Sequence, residues 1–244
     1  MRDDDAIIRP IKGKKAPDVG PVAVLVSAPS DLHRLRRRMG FPTDGHTTLM
    51  ISQVFPRSRL RPGVSVAGPM IGAPYATLVL EALISWGAEE IIYFGSCGAI
   101  SSEVQVGDLI IPTGSVVDEG TSPHYAGPID LARPDNDLVA RIREGLRRAG
   151  RSFHEGLVWT TDAVYRETRE QVRRHQARGV LGVEMEISAL FTVGAFRGVR
   201  VGGLLVVSDE LSGLTWKPGF KDDRYAQSRD AAVGVIDGIC QQRP

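Results

Sequence analysis

Continuous runs of apolar and β-branched residues punctuate the chain: "VAVLVS" (22–27), "LMISQVF" (49–55), "VSVAG" (64–68), "EIIYFG" (90–95), "VGDLIIPTGSVVD" (106–118), "GLVWTT" (156–161) and "VRVGGLLVVSD" (199–209). Several lack the alternation of a half-exposed strand, so they predict strands covered on both faces. Helical periodicity fills the intervals. From Tyr75, apolar residues fall at Leu78, Val79, Ala82, Leu83 and Trp86, the stripe of a core-facing helix. "DNDLVARIREGLRRAG", "RETREQVRRHQARG", "EMEISALFTVGAFRG" and "DRYAQSRDAAVGVIDGICQQ" also read as helices. Strands alternating with helices predict an α/β sandwich around a mixed sheet. With 244 residues and no polar or Pro/Gly-rich linker, the chain reads as one large domain.

In open α/β sheets ligands sit outside the carboxyl ends of the strands. Four such places carry chemistry: "VSAPSD", "GSCG", "GVEMEISAL" and "VSDE". Gly95-Ser96-Cys97-Gly98 reads as a turn closing a buried strand, with backbone amides free to face an anion. It lacks both the Gly-x-Gly-x-x-Gly spacing and a following Lys-Ser/Thr, so it is neither a dinucleotide fingerprint nor a P-loop.

Composition narrows the partners. Lys plus Arg number 30 against 29 for Asp plus Glu, so the global positive field of a non-specific nucleic-acid binder is missing. The arginine clusters "RLRRRM", "RIREGLRR" and "VRRHQAR" read as solvated helix faces. No run approaches the ~18 apolar residues of a membrane span, and "MRDDDAIIRPIKGKK" has no signal-peptide core, which predicts a cytoplasmic protein. Cys97 and Cys240 stand far apart and outside any metal-ligand spacing, which argues against a disulfide framework and a zinc site.

Glu184-Met185-Glu186 follows the strand-like "VLGV". On an extended segment residues two apart face the same side, so both carboxylates can project together as the chain enters a helix. The plainer reading is that acids in a first helical turn complement the macrodipole. Asp209 follows "GGLLVV" and Ser208, which delivers a carboxylate to the rim of the sheet, where burial raises a pKa towards a general acid's. Helix capping or a turn is its alternative use, and Ser208 shares that ambiguity. "DEGTSPHYAG" (118–127), with His124 and Tyr125, reads as a surface loop able to close over a ligand. Trp159, Thr160, Thr161, Asp162 and Tyr165 cluster after a strand, where a flat aromatic suits a planar ligand, although core packing is the commoner use of a single Trp.

The order of these signals is more specific than any one of them. "GSCGAI…VGDLIIP", then "TTDAVYRE", "GVEMEISALF" and "LLVVSDE" together resemble the nucleoside phosphorylase superfamily, which includes purine nucleoside phosphorylase, uridine phosphorylase and the methylthioadenosine nucleosidases. The resemblance covers roughly residues 20 to 240, leaving residues 1–20 as an N-terminal extension before a phosphorylase-like domain at 21–244. It implies a three-layer fold with a central mixed, partly barrel-like sheet flanked by helices, and cleavage of the bond between a base and C1′ of ribose through an oxocarbenium-like transition state. By resemblance, Glu186 accepts hydrogen bonds from the ribose hydroxyls, Met185 packs on the sugar and Glu184 supports the site. Asp209 protonates or hydrogen-bonds purine N7. Val164, Tyr165 and Ser208 lie at the base, and Ser27, Gly95 and Ser96 at the phosphate or nucleophile loop. No cofactor is implied beyond phosphate as co-substrate, no metal, and no nucleic-acid or membrane partner; a homo-oligomer, dimer-based, trimeric or hexameric, is expected.

The chain departs from that pattern at the phosphate. The Gly-Asp-Pro-x-Arg loop of such phosphorylases is replaced by "SAPSD", with Ser27 for the glycine and Asp31 for the arginine. Tyr93 stands where a second arginine precedes the Gly-Ser segment, and "HTTLMIS" offers none where a neighbouring subunit lends a third. Loss of three guanidinium contacts weakens phosphate binding by several kcal/mol, at about 1.5 to 3 for each charged hydrogen bond. Either other cations, such as Arg34, His46 or Arg57, rebuild the site, or water is the nucleophile with Asp31 as its base. "RETRE" after Tyr165 lacks the Gln-x-Arg pair that reads uracil, which with Asp209 favours a purine. Phosphorolysis of a purine-type nucleoside is the leading expectation; a nucleosidase, a uridine phosphorylase-like activity and a non-catalytic nucleoside-binding module are the alternatives.

Overall fold

The computed structural model describes residues 6–58 and 60–241. The first five residues of the expected extension lie outside these; residues 6–18 carry no helix or strand, and Val19 is the first side chain buried in the core.

The apolar runs become strands β1 (Val22–Val26), β4 (Val64–Gly68), β5 (Glu90–Ala99), β6 (Leu109–Asp118), β8 (His154–Thr161) and β10 (Arg200–Glu210). "LMISQVF" is a hairpin instead of one strand. Met50 takes a positive φ of 54° and reverses the chain between β2 (Thr47–Leu49) and β3 (Ser52–Phe55). The short strands β7 (Leu131–Ala132) and β11 (Lys217–Pro218) and the site strand β9 (Val180–Glu184) complete one mixed sheet. In it β5, β10, β6, β8 and β9 pair in a ring, because β5 bonds both β10 and β9. From β5 the sheet continues outward through β1, β4, β3 and β2. The mixed, partly barrel-like sheet expected from the sequence is therefore present.

Helices cover both faces. Helices α1 (Pro29–Arg38), α4 (Asn136–Arg148) and α7 (Asp223–Gln241) pack on one another and on one side; α2 (Ala73–Trp86), α3 (Ser122–Ala126) and α6 (Ile187–Arg197) pack on the other. A smaller cluster joins α5 (Arg169–Gln176), through Val172, to Trp159, Val180 and Val183. Residues 187–194 of α6 are buried all round, the signature of a helix inside the core. The α2 stripe is offset from its expected position. Val79 and Leu83 are buried, but Leu78 is 49% exposed, and Ala73, Ala76, Thr77 and Leu80 complete the inner face.

The site is placed by a split in this sheet. Strand β1 pairs with β5 as far as Phe94, and β9 joins at Gly98. The two strands leave β5 between those residues, and the chain ends that carry polar groups converge there, as at the switch points of other α/β sheets.

Candidate active site

A cleft of about 650 Å³ opens in this gap, walled by Ser96–Gly98 of β5, Val183–Glu186 at the β9–α6 junction, and Ser208 and Asp209 of β10. Val164, Tyr165 and Glu167 close one side, and Leu211, Trp216 and Phe220 the other. A second lobe of about 400 Å³ is lined by Ser27, Ala28, Ser30, Met70, Ile71, Tyr225 and Arg229. Ser96, Glu186 and Phe220 border both, so the two lobes form one trough.

Glu184 and Glu186 both border the cleft but are held differently. Glu184 ends β9 and turns back over the start of α6. Its Oε2 accepts the backbone N–H groups of Glu186 and Ile187, each at 2.7 Å, and its Oε1 accepts a short hydrogen bond from the Thr160 hydroxyl. Glu184 thereby caps the start of α6, its carboxylate satisfying orphan amides of the first turn. Thr160 in turn meets Ser115 at 2.7 Å and accepts from the Ser188 amide at 2.9 Å. Glu186 faces the junction of the lobes: Oε1 accepts the Gly72 amide at 2.6 Å and Oε2 the Tyr93 hydroxyl at 2.8 Å. A carboxylate has about four acceptor positions, so the two donors fix its orientation and leave capacity for a diol. Burial is the main force raising the pKa of both acids; Glu186's charge raises Glu184's further, while Gly72 and Tyr93 pull Glu186's back.

Tyr93 is fully buried. Burial, then the neighbouring Glu186 charge, lifts its pKa well above that of a free phenol, so it stays a neutral donor. The residue that replaces the expected arginine therefore serves the Glu186 carboxylate and lines neither lobe. It also accounts for Gly95, where an added Cβ would stand 2.5 Å from the Tyr93 hydroxyl oxygen.

"GSCG" is not a turn. All four residues lie within β5, paired with Leu205, Val206, Val207 and Asp209 of β10. Both glycines answer to crowding: at Gly98 a Cβ would lie 2.7 Å from Leu211 and 3.1 Å from Asp209 Oδ2. Ser96 alone of the segment borders both lobes, its hydroxyl 2.6 Å from the Tyr225 hydroxyl, whereas Gly95 borders neither.

Asp209 stands just beyond a register shift in β10 that skips Ser208 and swings the carboxylate into the cleft. Its Oδ1 accepts the Ser208 hydroxyl at 2.6 Å, and its Oδ2 accepts Trp216 Nε1–H at 2.9 Å. Val164 and Tyr165 form a 3₁₀ turn against the cleft, with Tyr165 98% exposed and open to a planar ligand.

The remaining expectations fare differently. Trp159 is a core residue stacked on His175, with its indole N–H on Asp118. The "DEGTSPHYAG" segment folds as β6's end and α3, away from the cleft. Tyr125 bonds Glu81 at 2.8 Å and packs on Phe196, and burial lifts its hydroxyl to about 12. Arg34 pairs with Asp230 and Arg57 with Asp18, while His46 packs on Phe55; none lines either lobe. The cation at the second lobe is Arg229 of α7. It pairs with fully buried Asp31 (Nε to Oδ1 2.6 Å), bonds the Ser30 hydroxyl and lies 5.0 Å over the Tyr225 ring. Asp31, the candidate base for water, borders neither lobe. Burial raises its pKa more than Arg229 lowers it.

Sequence reasoning missed Arg229, Tyr225, Glu167, Trp216 and Phe220. Trp216 and Phe220 carried a usable signal, since both are large aromatics in the polar stretch "SGLTWKPGFKDD" and are 59% and 55% exposed. Tyr225 and Arg229 lie one helical turn apart, which shows a shared face but not what it meets.

Among the described residues no helix is long and apolar enough to cross a membrane. A family model described as the phosphorylase superfamily matches residues 21–239. The chain is 32% identical over 181 residues to a DeoD-type purine nucleoside phosphorylase of Bacillus cereus, covering 73% of this chain and 76% of that one. It is 29% identical over 164 residues to a guanosine phosphorylase of Halorubrum lacusprofundi, covering 67% and 68%. A solved uridine phosphorylase from Vibrio fischeri superposes with a TM-score of 0.77 at 27% identity, over 93% of this chain and 96% of that one. The ring-and-extension sheet, the trough at its split and a match over nearly the whole length agree, and the chain belongs to the phosphorylase superfamily.

Proposed function

We propose that the protein is a purine nucleoside phosphorylase, which transfers the ribosyl group from the base to inorganic phosphate. The observation that carries this reading is the two-lobed trough, in which an anion-sized lobe with a guanidinium meets an aromatic-walled lobe at Glu186. In this reading the base lies against Val164, Tyr165 and Phe220, and the ribose hydroxyls bond Glu186 above Met185. Phosphate binds Ser96 and Arg229 beside Ser27, in line with C1′. As the glycosidic bond breaks, Asp209 hydrogen-bonds or protonates N7, so the base leaves without full negative charge. Arg229 takes over from the missing loop arginines, since a guanidinium suits phosphate from any element that brings it there. The burial of Asp31 and its pairing with Arg229 speak against a hydrolase built on that residue.

The same reading treats residues 1–20 as an extension outside the catalytic domain, phosphate as co-substrate with no further cofactor, and the cytoplasm as the setting, which suits two buried free thiols, Cys97 and Cys240. It also includes a homo-oligomer. Met50, Ile51, Ile71 and Leu78 are 58%, 71%, 68% and 49% exposed. They cluster around Tyr75, whose hydroxyl accepts the Ile51 amide, and Ile71 borders the anion lobe. An apolar face of this kind suits a second subunit seated beside the site.

One crystal soaked with phosphate and a non-cleavable purine nucleoside tests both parts. The expected result is phosphate on Arg229 and Ser96, ribose hydroxyls on Glu186, and a symmetric neighbour over Met50, Ile51 and Leu78. Phosphate bound elsewhere, or that face left in solvent, overturns the corresponding part.

A further inference from the structure

The second lobe is walled by more negative charge than a site for a highly charged anion should carry. Arg229 borders it, but its Nε donates to Asp31 Oδ1 at 2.6 Å and its Nη2 bonds the Ser30 hydroxyl. Asp31 is fully buried and its Oδ2 meets no donor among the described residues. On the same helix Arg34 stands 3.9 Å from Asp31 Oδ1 while pairing with Asp230 of α7 at 2.7 Å. Glu186 borders the lobe too, held by two neutral donors, the Gly72 amide and the Tyr93 hydroxyl. Tyr225 bonds Ser96, and burial raises its pKa, so it stays a neutral hydroxyl. Asp31 thus cancels Arg229, Asp230 cancels Arg34, and Glu186 leaves the lobe with a net negative charge.

Near neutral pH inorganic phosphate is a mixture of monoanion and dianion. The monoanion brings two P–O–H donors, for which the Ser27 and Ser30 hydroxyls in the wall are acceptors. The dianion brings a second charge against Asp31 and Glu186, and like charges at close range disfavour each other. Resting on the purine nucleoside phosphorylase reading, we infer that the second lobe takes phosphate as its monoanion, and that Asp31, by engaging Arg229, sets that preference. The transfer is balanced: an oxygen of dihydrogen phosphate bonds C1′ as the bond from C1′ to the base breaks, and that bond's electron pair goes to the base. One phosphate proton offsets the proton the base gains, and the other stays on ribose 1-phosphate.

Sulfate and methanesulfonate share the tetrahedral shape of phosphate and hold two negative charges and one, respectively, throughout the neutral range. The experiment measures both as competitive inhibitors against phosphate in wild type, Asp31→Asn and Asp31→Ser, with thermal melts to identify the folded variants. It also follows the phosphate KM of each from about pH 6 to about pH 8, across the second ionisation of phosphate. In wild type methanesulfonate should inhibit at a concentration ~10-fold or more below that of sulfate. The phosphate KM should rise ~10-fold over the same range, following the loss of monoanion. Removing the Asp31 charge should erase or reverse the inhibitor order and flatten the KM profile to within about threefold. Sulfate inhibiting wild type as well as methanesulfonate does, or a phosphate KM flat with pH, overturns the monoanion preference whether or not a variant folds. An unchanged inhibitor order in a folded variant overturns the assignment to Asp31. Nucleoside cleavage that proceeds equally without phosphate overturns the phosphorylase reading beneath both.

Discussion

The Asp209→Asn protein folds and binds nucleoside, yet its kcat for guanosine and inosine falls by ~10² to 10⁴, the usual contribution of a positioned proton donor. The structure explains why folding survives. The substituted amide retains an oxygen acceptor for one of the two donors, Ser208 Oγ and Trp216 Nε1, and the site is half-buried and able to admit water. The sharper control is a riboside whose leaving group departs as a stable anion, such as 4-nitrophenyl riboside. Its release should be nearly unchanged by the substitution. An equal fall for both substrates would assign Asp209 to positioning; near-normal inosine turnover would remove it from the mechanism.

The second large effect is expected at Arg229. Arg229→Ala removes the nearer of the two arginines that pair with fully buried Asp31, leaving only Arg34 at 3.9 Å, so stability falls by up to ~3 to 5 kcal/mol in urea unfolding. A fall in activity alone would then be ambiguous. The double variant Asp31→Asn with Arg229→Gln separates the effects, because it leaves no buried charge. Its stability should return to within ~1 to 2 kcal/mol of wild type, while the KM for phosphate stays ~10- to 100-fold raised, the equivalent of one lost charged hydrogen bond. A wild-type phosphate KM in the folded double variant would mean that Arg229 serves Asp31 and not the anion.

These two residues also mark how much was legible in the sequence. Asp209 could be found because it ends an apolar run and strand ends face the ligand; likewise Glu184 and Glu186 sit where a strand becomes a helix. The sheet class followed from the same runs. Arg229 could not be found that way. It lies on a helix far along the chain, and only the packing of α7 against α1 brings it to Asp31 and Ser30. The absence of arginines at the expected positions was legible; the place of Arg229 at the second lobe depended on a contact across 198 residues. "GSCG" misled for a local reason. Glycines suggest a turn, whereas here they make room for Tyr93 and for Leu211 and Asp209 in a continuous strand. The offset of the α2 stripe has a similar origin, since small residues, Ala73 and Ala76, supply much of its inner face.

In the proposed reaction the second lobe holds the nucleophile, inorganic phosphate. The most direct test is to follow purified protein with guanosine or inosine, with and without inorganic phosphate, and to identify the sugar product. Base is expected to be released only in the presence of phosphate, with one equivalent of ribose 1-phosphate formed and one of phosphate consumed. Equal base release in phosphate-free buffer, with free ribose as the product, would contradict it.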